Sequence, residues 1–283
     1  MTAGSPTATE TFAVPLPTGI TASVNIDGVD GDGPHLLMLG GPHSAELMRG
    51  FIGPRFTSAG FRLVTVEYRG IPPTDVPEGH YTVAQLTADL IALLEQCRLA
   101  PIRVYGYSLG ANVVLELLAE RPDLVERAVL GGTRTAHPFA SAEMHDEYLA
   151  RTAGSGEPEP PPHTELLLRA RLMFGPRRLA SDAFTGAIRQ VLTLPPTEGH
   201  NVPGLTAASR GHEPSPDRLA TIRTPCRVIG FEHDVLTPAA GAREIARLLR
   251  AEYREIRNCG HGAFIEQPRE LTRLVTEFLG GAA

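Results

Sequence analysis

Short apolar runs alternate with helix-like segments along most of this 283-residue chain. His35 to Leu39, Phe61 to Tyr68, Ile102 to Tyr107, Ala128 to Leu130 and Arg227 to Phe231 are such runs, each bounded by Gly, Pro or polar residues. Their length and near-continuous apolar character suit strands buried on both faces of a parallel sheet. Helix-like stretches lie between them, at Val83 to Gln96 behind the candidate N-cap Thr82, Ala111 to Glu120, Ala239 to Arg250 and Arg269 to Leu279. The alternation predicts a doubly wound, mostly parallel α/β sheet with reactive groups at the carboxyl ends of its strands. Thr11 to Val14 and Thr21 to Ile26 read as an opening β-hairpin region, and Tyr253 to Ile256 as the last strand.

The rhythm breaks between Thr135 and Asp217. A Pro-rich loop, Gly154 to Pro162, separates helices expected at Ser141 to Arg151 and Thr164 to Phe174, and two more are expected at Ser181 to Leu194 and Val202 to Ser209. Met144, Tyr148, Leu168, Met173, Phe174, Phe184 and Val191 give these helices enough apolar surface to cover something but too little for a large core. Residues 135–217 are therefore read as a helical cap inserted into a core domain made of 1–134 and 218–283.

Gly106-Tyr107-Ser108-Leu109-Gly110 sits where a strand-like run meets a helix-like one. In that context Gly-x-Ser-x-Gly places a serine on a turn so tight that side chains at the flanking positions would strike the backbone, with helix N–H groups aimed at developing negative charge. A serine hydroxyl is a poor nucleophile without a base, and the base needs a third group to fix its tautomer. His261, flanked by Gly260 and Gly262 after the last strand, is the candidate base. Asp234 is the candidate acid, preferred over Glu232 because it lies deeper in the loop beside Val235 and Leu236. The catalytic set is thus Ser108, Asp234 and His261, in that chain order.

These residues resemble the α/β-hydrolase superfamily over most of the chain. Gly106 to Gly110 is similar to its nucleophile elbow, Asp234-Val235-Leu236-Thr237-Pro238 to its acid loop, and Gly260-His261-Gly262 to its histidine loop. Glu67-Tyr68-Arg69-Gly70 is similar to the family's Asp-x-Arg-Gly segment. The resemblance implies that the inserted helices are the family's cap, following the strand that ends near Gly131. Leu39-Gly40-Gly41-Pro42-His43 departs from the family's usual His-Gly, yet an oxyanion hole needs only backbone N–H groups, so Gly41 with Leu109 can supply it. Leu39-Gly40-Gly41 is also similar to the Met-Gly-Gly form of esterases that tailor actinomycete polyketides, which points to secondary metabolism.

The expected activity is a metal-free, cofactor-free serine hydrolase that cleaves an ester or thioester of a small or medium organic molecule through an acyl-enzyme. His43 and Tyr107 are expected to bind substrate as pocket walls. Two rivals stand beside this reading: an acyltransferase or thioesterase acting on a biosynthetic intermediate, and a lyase, oxygenase or binding protein in which Ser108 is never acylated. A serine nucleophile disfavours the epoxide-hydrolase and dehalogenase branches, and the lack of tryptophan the perhydrolase branch. Because the chain has no lysine, Schiff-base chemistry is excluded. The net charge of −6 and the absence of a basic run argue against nucleic acid as a partner. Three scattered cysteines fit reduced thiols, and neither a secretory signal nor a membrane span is legible, so a cytoplasmic location is expected. A homodimer and a carrier-protein partner stay open.

Overall fold

The computed structural model describes residues 8–43, 45–136, 163–192 and 199–280. The helix expected at Ser141 to Arg151 and the Pro-rich loop lie outside the described residues. Eight strands form one sheet in the order β1-β2-β4-β3-β5-β6-β7-β8. They are β1 Thr9–Pro15, β2 Thr21–Asp27, β3 His35–Leu39, β4 Arg62–Val66, β5 Ile102–Tyr107, β6 Val125–Gly131, β7 Cys226–Phe231 and β8 Glu252–Ile256. β2 runs antiparallel to β1 and β4, whereas every pairing from β4 through β8 is parallel.

Side-chain alternation sorts the strands' apolar residues onto two faces. Leu37, Leu39, Val104 and Val228 pack on one face with α2 (Val83–Gln96), α3 (Leu109–Glu120) and α9 (Ala239–Leu249). Leu36, Met38, Tyr105 and Ile229 pack on the other with α1 (Ala45–Ser58) and α11 (Pro268–Leu279). Leu36, Leu37 and Met38 are all fully buried, so β3 is apolar on both sides, as a central parallel strand must be. Each such side chain contributes about 1.5 to 3 kcal/mol relative to exposure.

Between β6 and β7 the chain forms α4 (His163–Met173), α5 (Pro176–Leu179), α6 (Asp182–Leu192), α7 (Val202–Arg210) and α8 (Pro216–Thr221). α8 straddles the expected cap boundary at residue 217 and packs on α3 and α9, helices of the sheet domain. Thr82 caps α2 through a reciprocal pair: the Gln85 N–H donates to Thr82 Oγ1 at 3.2 Å and the Thr82 N–H to Gln85 Oε1 at 2.9 Å.

The Glu67-Tyr68-Arg69 segment after β4 is a structural hub. The Glu67 carboxylate accepts the first N–H groups of α1, from Ala45 at 2.9 Å and Glu46 at 3.2 Å, which have no acceptor inside their own helix. Arg69 forms a buried fork with Asp89 of α2, both contacts at 2.6 Å. Asp89→Ala strands a guanidinium whose side chain is 9% exposed. It is expected to cost about 3 to 5 kcal/mol, read as a lower midpoint in urea with an unchanged slope.

Candidate active site

Ser108 lies at the junction of β5 and α3 with φ 56° and ψ −118°, a conformation that strains a residue carrying a Cβ. What holds it there is the close approach of the flanking glycines. A Cβ on Gly106 would come within 2.6 Å of the Gly110 carbonyl oxygen, and one on Gly110 within 2.4 Å of that of Leu39. The Ser108 N–H is tied to the Gly131 carbonyl at the end of β6, at 2.9 Å. The strand-to-helix turn therefore cannot relax without separating β5 from both neighbours.

The hydroxyl of Ser108 lies 3.1 Å from His261 Nε2, and His261 Nδ1 lies 2.7 Å from Asp234 Oδ2. Asp234 follows β7 and His261 follows β8, so residues separated by 126 and 27 positions meet at the carboxyl edge of the sheet. The Asp234 side chain is wholly buried and that of His261 is 6% exposed. Asp234 Oδ1 accepts the Leu236 and Thr237 N–H groups at 2.9 and 2.8 Å, and Oδ2 accepts the Thr237 hydroxyl at 2.6 Å. A carboxylate so fully supplied with donors stays an acceptor toward His261, which fixes the Nδ1–H tautomer and leaves Nε2 to accept from Ser108. Glu232, the rival acid, instead accepts the Asn258 N–H at 2.7 Å on the outer side of the loop.

Leu109 is the first residue of α3, so its N–H has no acceptor within the helix. The Gly40 carbonyl is held by the Gly110 N–H at 2.9 Å and by the Tyr68 hydroxyl at 3.3 Å. In a trans peptide the Gly41 N–H then points the opposite way. Gly41 borders Ser108, since a Cβ built on it would lie 3.9 Å from that of the serine. Tyr68 thus steadies the loop carrying the expected oxyanion donor, a link that the sequence does not display.

Tyr107 takes a different place from the pocket wall expected of it. Its ring is buried in the core cluster beside Phe231 and Phe264, and its hydroxyl donates to the main-chain carbonyl of His261. It is support for the histidine loop. Tyr107→Phe removes one of the two donors to that carbonyl, the Ala263 N–H at 2.9 Å being the other, and about 0.5 to 1.5 kcal/mol of stability is expected to be lost in thermal unfolding. His43, two residues after Gly41 and expected as a pocket wall, is exposed. An open surface groove of about 530 Å³ lies elsewhere, between α1 and α11, and contains none of these groups. Cys226 and Cys259 are buried thiols whose pKa burial raises, to about 12 for Cys226, so neither is poised as a nucleophile. Among the described residues no cluster of His, Cys, Asp and Glu is arranged to hold a metal ion, and no helix is long and apolar enough to cross a membrane.

A sequence profile of the α/β-hydrolase family matches residues 36–274, a span that runs from Leu36 in β3 to Leu274 in α11 and includes every residue of this site. The chain belongs to that family. As an α/β-hydrolase it is 35% identical over 238 residues to BpoC of Mycobacterium tuberculosis, named as a non-heme bromoperoxidase, covering 80% of this chain and 85% of BpoC. The crystal structure of BpoC superposes with a TM-score of 0.80 at 28% identity, over 93% of this chain and 96% of that one. The hydrolase is also 27% identical over 264 residues to a pyrrolizixenacetamide deacetylase from Xenorhabdus hominickii, covering 89% of this chain and 92% of the relative. An enol-lactonase from Burkholderia xenovorans shares the fold, with a TM-score of 0.79 at 22% identity over 95% of this chain and all of its own.

Proposed function

We propose that this α/β-hydrolase cleaves an ester or thioester of a small or medium organic molecule through an acyl-enzyme on Ser108. The observation that carries the reading is the unbroken hydrogen-bonded line from Ser108 through His261 to the buried Asp234. Ser108 Oγ attacks the carbonyl carbon while its proton passes to His261 Nε2, and Asp234 stabilises the imidazolium. The N–H groups of Gly41 and Leu109 hold the oxygen as it gains charge, each such donor being worth about 2.7 to 4 kcal/mol. Collapse expels the alcohol or thiol, which takes the proton from His261. Water, deprotonated by the same imidazole, then attacks the acyl carbon, and collapse releases the carboxylic acid while His261 returns the proton to Ser108 Oγ. The relative named as a deacetylase lends support to acyl cleavage on this scaffold.

Incubation with a panel of activated esters and thioesters graded by acyl size, followed by rapid quench and intact mass, tests the reading. One acyl adduct per chain, mapped to Ser108 and cleared by water, is the expected result. Turnover without an adduct, or an adduct that forms on another residue, would exclude it. Adding an alcohol or amine acceptor to the same reactions separates hydrolysis from acyl transfer by the partitioning of products.

A further inference from the structure

One main-chain group on each of the four residues from Cys259 to Gly262 is pinned, that of Gly262 directly by the cap and that of Gly260 through Glu266, which also holds the cap. The Cys259 carbonyl accepts the His233 N–H at 2.8 Å, and the His261 carbonyl accepts the Tyr107 hydroxyl, both from the sheet domain. The Gly262 N–H donates to the Met173 carbonyl at the end of α4, at 2.6 Å. The Gly260 N–H donates to Glu266 Oε1 at 2.7 Å, while Oε2 of the same carboxylate accepts the Gly175 N–H, between α4 and α5, at 3.0 Å. Glu266 lies in α10 (Ala263–Glu266) and is completely buried. Its own carbonyl accepts from Arg178 of α5 at 2.5 Å.

The glycines beside His261 make this docking possible. A Cβ on Gly260 would come within 2.8 Å of Met173 O and Gly175 N, and one on Gly262 within 2.4 Å of the Phe174 ring. The cap therefore lies against the histidine loop at backbone contact distance, and Glu266 bridges the seam with one oxygen on each side.

We propose that Glu266 is a positioning residue for His261, a carboxylate clamp through which the seating of the α4–α5 junction sets the placement of the imidazole over Ser108. The inference rests on the reading of His261 as general base. An ionised carboxylate accepts on both sides without carrying a proton that needs an acceptor of its own. Burial, the largest influence, raises the Glu266 pKa above the usual carboxylate range, and the Gly260 and Gly175 N–H groups and Arg178 offset part of that rise. Glutamine offers one acceptor and one donor, so its NH2 must face a main-chain N–H on one side of the seam.

The test compares Glu266→Gln with the wild type by steady-state kinetics on whichever activated ester the wild type hydrolyses, and by proton NMR of the His261 Nδ1–H resonance. The expected result is a kcat lower by about 100-fold, the loss that follows an imidazole displaced by about 1 Å, with KM within about 2-fold and the resonance shifted or broadened. Wild-type kcat, or a loss confined to KM, with the resonance unchanged would overturn the proposal. Should Glu266→Gln fail to fold, Glu266→Asp keeps both acceptors on a shorter arm and is read by the same two measurements and the same outcomes. The resonance is readable whatever chemistry Ser108 performs. If the wild type forms no adduct on Ser108, the hydrolase reading fails while the Glu266 clamp is still judged by the resonance.

Discussion

Ser108→Ala is expected to lower kcat by about 10⁶-fold and to abolish the acyl adduct, while substrate binding changes little. Removing the nucleophile of an Asp-His-Ser assembly costs about as much as removing all three members, because they act as a unit. Residual turnover would come from the proposed oxyanion donors, the N–H groups of Gly41 and Leu109, and from binding alone. Stability should hold, since alanine leaves the φ of 56° at position 108 as strained as serine does. Ser108→Gly removes the strained Cβ as well as the hydroxyl, so it should be equally inactive but more stable, by about 1 kcal/mol or more. The pair separates chemistry from folding: kcat falls together, whereas the thermal midpoints diverge. A Ser108→Ala enzyme that turns over within 10-fold of wild type would remove Ser108 from the reaction.

Much of this site is legible in the sequence because its signals are local. The strand-like runs end where reactive groups must stand, and Gly106 and Gly110 mark a turn whose geometry tolerates nothing larger. Thr82 and Gln85 announce the start of α2 three residues apart. α1 gives no comparable signal: it carries Gly50, Gly53 and Pro54, residues that weaken or interrupt a helix, and it is held by contacts from elsewhere, including Glu67 at its first turn. The supports of the site are invisible for the same reason. Glu266 meets Gly175 across 91 positions, and Tyr107 meets the His261 carbonyl across 154. No periodicity encodes such a pairing. Tyr107 reads as a pocket wall only because it precedes the nucleophile, whereas the alternation of β5 turns its side chain into the core with Tyr105. Thr237 is a partial exception: an acid followed three residues later by a hydroxyl is a local pattern, and here that hydroxyl holds Asp234.

Asp234→Asn probes the other end of the relay and should lower kcat by about 10⁴-fold with the fold intact. The argument turns on which atoms surround the side chain. The Leu236 and Thr237 N–H groups both donate to Oδ1, so the amide oxygen of asparagine must remain there and its NH2 must occupy the place of Oδ2. That NH2 faces His261 Nδ1 and the Thr237 hydroxyl, which lie 2.7 and 2.6 Å from Oδ2 in the native protein. Thr237 can rotate its hydroxyl to accept, but His261 can accept only by surrendering the Nδ1 proton. The proton then resides on Nε2, where it blocks acceptance from Ser108. The imidazole would stay in place and carry the wrong tautomer, so the NMR signature should be loss of the Nδ1–H resonance, with stability in thermal unfolding unchanged within about 1 kcal/mol. An Asp234→Asn enzyme within 10-fold of wild type would mean that the tautomer is fixed by something other than this carboxylate, and Thr237, whose Oγ1 lies 3.3 Å from His261 Nδ1, would be the group to examine next.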